Sequence, residues 1–135
     1  MSEIERPADH LIQVLLVDDD SGVLHALEQA LSDRPGQQIT ACSSFEEARK
    51  RLREQTFDVL ITDVRLGAFN GLQLAVLARD VNPLTQLIVF SGFDDSVLRQ
   101  EAERLGGTYL VKPVTTETLQ SLITPPGVQP DDAVF

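Results

Sequence analysis

The sequence predicts an α/β fold: a single doubly wound domain with a parallel sheet and helices on both faces. Two observations carry this. Five short apolar runs, at residues 14–17, 39–41, 59–61, 87–90 and 109–111, are rich in Val, Ile and Leu, as suits strands buried on both faces. Between successive runs lie segments with apolar residues at helical spacing. Strands alternating with helices call for right-handed crossovers and a parallel sheet. A chain of 135 residues is long enough to bury one core.

Taken in order, the first helical segment places Val23, Leu24, Leu27, Ala30 and Leu31 on one stripe and is ended by Pro35-Gly36. The second opens on a capping-box pattern, Ser44 with Glu47, ahead of Ala48 and Leu52. The third is expected to start near Asn70, with Gln73 three residues on. It carries Leu72, Leu74, Ala75, Leu77 and Ala78 and stops at Asn82-Pro83. The fourth starts at Asp94 or Asp95, runs through Val97, Leu98, Ala102 and Leu105, and stops at Gly106-Gly107. A short fifth follows Pro113, with Thr115 or Thr116 as cap and Leu119, Leu122 and Ile123 on its inner face. Residues 1–10 read as a disordered arm, 11–124 as the domain, and 125–135 as a Pro-rich tail or linker.

Composition narrows the function. With 21 acidic residues against 11 basic ones, the formal charge is −10. A duplex-DNA surface needs clustered Lys and Arg to displace counterions, so direct nucleic-acid binding is not expected. No apolar run approaches the ~20 residues that span a bilayer, and the polar start MSEIERPADH lacks a signal-peptide pattern. A cytoplasmic location without membrane contact is therefore the expectation. One cysteine, Cys42, rules out an intrachain disulfide and any multi-cysteine zinc site. It reads as a small core residue. His25 lies off its helix's apolar stripe and reads as a surface histidine.

In an open α/β sheet, ligands gather outside the carboxyl ends of the strands. Here the first run ends in Asp18-Asp19-Asp20, the third in Thr62-Asp63, the fourth in Ser91-Gly92 and the fifth in Lys112-Pro113. Carboxylates, a hydroxyl and an ammonium thus converge on one edge. Asp20 is the acid best suited to capping the helix that follows it.

The segments VLLVDDD, FDVLITDVRLGAFNGLQL, LIVFSG and YLVKP, in this order and spacing, resemble a response-regulator receiver domain of two-component signalling, over roughly residues 11–123. The resemblance implies a flavodoxin-like sheet of five strands in order 2-1-3-4-5. It implies that Asp63 accepts a phosphoryl group from a sensor histidine kinase or a small phosphodonor. Asp18, Asp19, Asp63 and the backbone carbonyl of Arg65 would hold Mg²⁺ or Mn²⁺. Lys112 would contact the phosphoryl group, and Ser91 and Tyr109 would form the switch. Lys112–Pro113 would be cis, the one common context for such a bond.

These residue types suit that chemistry. A carboxylate and a phosphoryl donor repel each other; a hard divalent cation held by oxygen ligands removes the repulsion. A lysine and a hydroxyl stabilise the phosphoryl oxygens. Ser91 drawn toward those oxygens would leave space for Tyr109 to turn inward. The face of the fourth helix, fifth strand and fifth helix would then carry the signal to an effector domain or protein, or form a homodimer. Such a chain is a switch with slow self-dephosphorylation, not an enzyme acting on an outside substrate. The tail fits a stand-alone domain and a piece of a longer regulator or hybrid kinase equally.

Two departures stand out. Gly67 occupies a position where many family members carry proline, which predicts a looser loop after Asp63. Phe93, two residues past Ser91, is bulky enough to slow water attack on the phosphoryl group. Two alternatives remain at this point. One is a haloacid-dehalogenase-like phosphohydrolase with Asp18 as nucleophile and Asp20 as acid/base, which leaves Asp63 without a role. The other is a pseudo-receiver, an interaction module that takes no phosphate.

Overall fold

The computed structural model describes residues 11–123. The expected arm at 1–10 and tail at 125–135 lie outside the described residues. In chain order the elements are β1 (Ile12–Val17), α1 (Ser21–Ser32), β2 (Gln37–Cys42), α2 (Phe45–Glu54), β3 (Val59–Asp63), β4 (Arg65–Leu66), β5 (Phe69–Asn70), α3 (Leu72–Val81), β6 (Gln86–Ser91), α4 (Ser96–Arg104), β7 (Thr108–Val111) and α5 (Thr116–Leu122). Five strands form one parallel sheet in the order β2-β1-β3-β6-β7. Counting only its members, this is the expected 2-1-3-4-5 order.

The period-2 geometry of a strand splits each apolar run between two cores. Leu15, Val17, Leu60 and Leu87 face α2 and α3 through Leu52, Leu74 and Ala78. Val14, Leu16, Ile61, Ile88 and Phe90 face α1 and α5 through Leu24, Leu27, Leu31 and Leu119. A smaller cluster of Val64, Leu72, Val89, Ala102 and Tyr109 seats α4. Continuous apolar runs are needed because both sheet faces are covered.

The caps follow the sequence closely. Asp20, Ser44, Asp95 and Thr115 each accept amide hydrogen bonds at the start of α1, α2, α4 and α5. Glu47 reaches back to the amide of Ser43, one residue beyond the N-cap amide that a strict capping box would engage. Gly106, at φ +80°, lies just past the end of α4.

Three expectations are corrected. Val23 and Val97 are 37% and 64% exposed; the inner face of α1 is filled by Leu24, Leu27 and Leu31, and α4 buries only Ala102. The third helix begins at Leu72, not Asn70, whose side-chain oxygen instead accepts from the Leu72 amide at 2.8 Å. Between β3 and α3 the chain forms an unforeseen antiparallel hairpin, β4 paired with β5. The loop containing Gly67 is therefore a paired turn and not a loose segment.

β3 and β6 run beyond the apolar residues to Asp63 and Ser91, because parallel pairing continues through Asp63↔Phe90 and Ser91↔Val111. The sheet itself therefore holds both side chains in place. After β3 the backbone folds back so tightly that a Cβ on Gly71 would lie 2.0 Å from the carbonyl oxygen of Asp63 and 2.9 Å from Thr62 Oγ1. Gly71→Ala is expected to destabilise the chain by about 1–3 kcal/mol, as overpacking does, read as a lower urea midpoint at unchanged slope.

Candidate functional site

At the carboxyl edge of the sheet, Asp18 follows β1 and its amide still donates to the Cys42 carbonyl at 3.2 Å. Its side chain is fully buried. Oδ1 accepts from the Asp20 amide at 2.9 Å, and Oδ2 accepts from Lys112 Nζ at 3.3 Å. Asp63, 7% exposed, ends β3. Its Oδ2 accepts from Lys112 Nζ at 2.9 Å and its Oδ1 from the Arg65 amide at 3.3 Å. Asp19 is exposed, and its Oδ2 accepts from the Gly67 amide at 3.0 Å. Oxygens of Asp18, Asp19 and Asp63 all lie within 4.8 Å of one another.

Lys112 follows β7, anchored by its amide to the Ser91 carbonyl at 2.8 Å and preceding a cis bond to Pro113. Its Nζ lies 5.1 Å from the centre of the Phe90 ring. Burial acts to lower its pKa, but the hydrogen bond to Asp63 and the charges of Asp18 and Asp63 outweigh it and hold the pKa above the usual lysine value. Asp18 shows the reverse balance: burial pushes its pKa up despite the Asp20 amide and Lys112, and the Asp63 charge adds to the rise.

Ser91 is buried, and its Oγ accepts from the Phe93 amide at 3.2 Å. Tyr109 is also buried, its hydroxyl donating to the Phe93 carbonyl at 2.7 Å. Its ring therefore points inward. The guanidinium of Arg99 lies 4.8 Å from the ring centre and pairs with Asp94 at 2.8 Å. Arg65 sets its guanidinium 5.2 Å from the centre of the Phe93 ring, which is 61% exposed.

Asp20 stands apart: its Oδ1 caps α1 through the amides of Gly22 and Val23 at 3.0 and 3.1 Å. His25 is exposed on α1. Cys42 is buried, and burial, with the Glu47 charge, pushes its thiol pKa up to about 11. Two contributors escaped the sequence reading. Thr62 is buried and donates from Oγ1 to the Asp63 carbonyl at 2.9 Å, and Gly71 allows the close return described above. The dipeptide Asn70-Gly71 was the signal for the second, since it marks a turn more strongly than a helix start.

Three carboxylates face one ammonium at this edge. A hard divalent cation fits this donor set, because all the side-chain ligands are oxygens and negative charge remains in excess.

The native pKa of Asp18 lies above its unfolded value, so its contribution to stability is complete below the unfolded carboxylate pKa. It is lost as pH rises through the native value. At neutral pH, metal-free Asp18→Asn, which keeps an oxygen for the Asp20 amide, should unfold at a higher temperature than the unaltered chain. A lower melting temperature in EDTA would contradict this balance.

The family model for the response regulator receiver domain matches residues 14–124. The alginate biosynthesis transcriptional regulatory protein AlgB of Pseudomonas putida is 30% identical over 118 residues, 87% of this chain and 26% of that protein. The transcriptional regulatory protein AfsQ1 of Streptomyces coelicolor is 31% identical over 110 residues, 82% of this chain and 48% of that protein. The chain thus spans about a quarter to a half of these relatives' lengths. A response regulator from Burkholderia pseudomallei, solved with a phosphorylated aspartic acid, calcium ion and citrate, superposes with a TM-score of 0.76 at 25% identity, covering 83% of this chain and 66% of that one. The chemotaxis response regulator CheY4 of Vibrio cholerae gives a TM-score of 0.72 at 25% identity, covering 82% of this chain and 94% of that one. No helix among the described residues is long and apolar enough to cross a membrane. With its sheet order, its acidic edge and the family match spanning nearly every described residue, the chain belongs to the response regulator receiver domain family.

Proposed function

We propose that Asp63 is the phosphoacceptor of a signalling switch, receiving a phosphoryl group from a histidine kinase or a small phosphodonor in the cytoplasm. The observation that carries this is the Lys112 ammonium, 2.9 Å from Asp63 and 3.3 Å from Asp18, beside a third carboxylate at the sheet's carboxyl edge. Asp18, Asp19, Asp63 and the Arg65 carbonyl would hold Mg²⁺ or Mn²⁺. When bound, that cation offsets the repulsion between phosphoryl oxygens and carboxylates.

An Asp63 oxygen attacks phosphorus, and the bond to the donor breaks with its electron pair staying on the donor. An acyl phosphate remains on Asp63. Lys112, already bonded to Asp63 Oδ2, supplies positive charge to the transferred group. Asp18 orients Lys112 from its buried side. Ser91, one residue past the strand partner of Asp63, would donate a hydroxyl hydrogen bond to the transferred group.

The route outward runs through Phe93. Its amide is bonded to Ser91 and its carbonyl to Tyr109. A Ser91 hydroxyl that turns toward a phosphoryl oxygen releases the Phe93 amide, and the shift passes to Tyr109 and to α4. Exposed Phe93, Val97 and Val111 lie along this face, which would be read by an effector domain or protein, or by a second copy of the chain.

Intact mass after acetyl phosphate and Mg²⁺ should show one added phosphoryl group on the unaltered chain and none on Asp63→Asn. Phosphate on the variant would move the acceptor elsewhere. No transfer to either chain, with beryllofluoride also failing to bind, would favour a pure interaction module. Phe93 lies two residues past Ser91 with the Arg65 guanidinium 5.2 Å from its ring centre. This pair would hinder water attack on a phosphorylated Asp63, so Phe93→Ala should shorten the lifetime of the phosphorylated form. An unchanged or longer lifetime would remove Phe93 from that role.

A further inference from the structure

The hairpin β4–β5 is fastened at two points outside its own strand pair. At its turn, the Gly67 amide donates to Asp19 Oδ2 at 3.0 Å. On its second strand, the Phe69 ring stacks on Phe45, with centroids 4.6 Å apart and planes 12° apart. Phe45 is buried and opens α2, so the hairpin leans on a fixed element.

Asp19 is the carboxylate that needs such help. Asp18 and Asp63 are buried and share Lys112. Asp19 is exposed, and among the described residues its side chain takes one hydrogen bond, from Gly67. That bond uses an amide hydrogen, and the turn that presents it sets φ at +61°. Glycine meets both conditions, whereas proline has no N–H and holds φ near about −65°.

We propose that the β4–β5 hairpin is a positioning element for the cation site, with Gly67 aiming Asp19 and the Phe69–Phe45 stack holding the hairpin in register. The proposal rests on the cation reading given above. A ligand held in place before the cation arrives loses less side-chain freedom on binding, which raises affinity. Arg65 belongs to the same hairpin, so its carbonyl and Asp19 would be set as one unit. Phe69 is 45% exposed, so its truncation leaves the core intact and separates this role from folding.

The test is a magnesium titration of the full chain followed by amide chemical shifts, with hydrogen exchange of Gly67 in metal-free buffer. Phe69→Ala should bind magnesium about tenfold more weakly, as partners of metal ligands usually do when removed, while Phe69→Tyr should bind like the unaltered chain. Without metal, the Gly67 amide should be protected in the unaltered chain and exposed in Asp19→Ala and Phe69→Ala. Equal magnesium affinity in Phe69→Ala, or an unprotected Gly67 amide in the unaltered chain, overturns the positioning role alone. If the unaltered chain binds no magnesium, the cation reading of the site falls and this proposal falls with it. Should Phe69→Ala lose its native amide dispersion, Phe69→Leu, which keeps the bulk without the stacked ring, is read by the same criteria.

Discussion

The ammonium of Lys112 lies between two carboxylates that folding brings together and takes out of water. Asp18 is wholly buried and Asp63 nearly so, and burying like charges side by side opposes the folded state. Lys112 offsets part of that opposition, and its own pKa rises because both carboxylates favour its charged form. The compensation is incomplete, since burial still holds the Asp18 pKa above its ordinary value. The site is therefore electrostatically short of positive charge, and the exposed Asp19 deepens that deficit. The oxygen-only donor set and the excess of negative charge at this edge suit a hard divalent cation.

The sheet makes this arrangement possible. In a parallel sheet all strands end on the same edge, so residues far apart in sequence arrive together without a dedicated loop. Asp18, Asp63, Ser91 and Lys112 each sit at or just beyond a strand end, held by main-chain bonds between neighbouring strands. Helices on both faces exclude water from behind the site. The tight return at Gly71 brings the chain back beneath Asp63, and the hairpin ahead of it carries the Gly67 turn up to Asp19.

The same local geometry links the site to the surface of α4. Phe93 is bonded through its two backbone groups to Ser91 and to Tyr109, while its ring lies under Arg65. One residue thus touches Ser91 at the sheet edge, the aromatic ring side and the exterior. Arg99 adds a second hold on Tyr109, stacking over its ring while paired to Asp94. The inward tyrosine rests on these two supports.

Much of this was legible in the linear sequence. Apolar runs covered on both sides specify a buried parallel sheet, and polar residues at the ends of those runs specify the charged edge, because both signals are local and periodic. The caps Asp20, Ser44, Asp95 and Thr115 are legible for the same reason. Val23 and Val97 misled because a helix stripe is read to within about one residue, or 100° of rotation. The β4–β5 hairpin, the return at Gly71, the Phe93 bridge and the inward Tyr109 depend on contacts between segments distant in space or on backbone angles, and neither leaves a periodic trace. Residue chemistry and spacing alone determined which side chains meet at this edge. Only the tertiary structure decided how tightly each is held, because burial, φ angles and hydrogen-bond partners exist only once the chain has closed on itself.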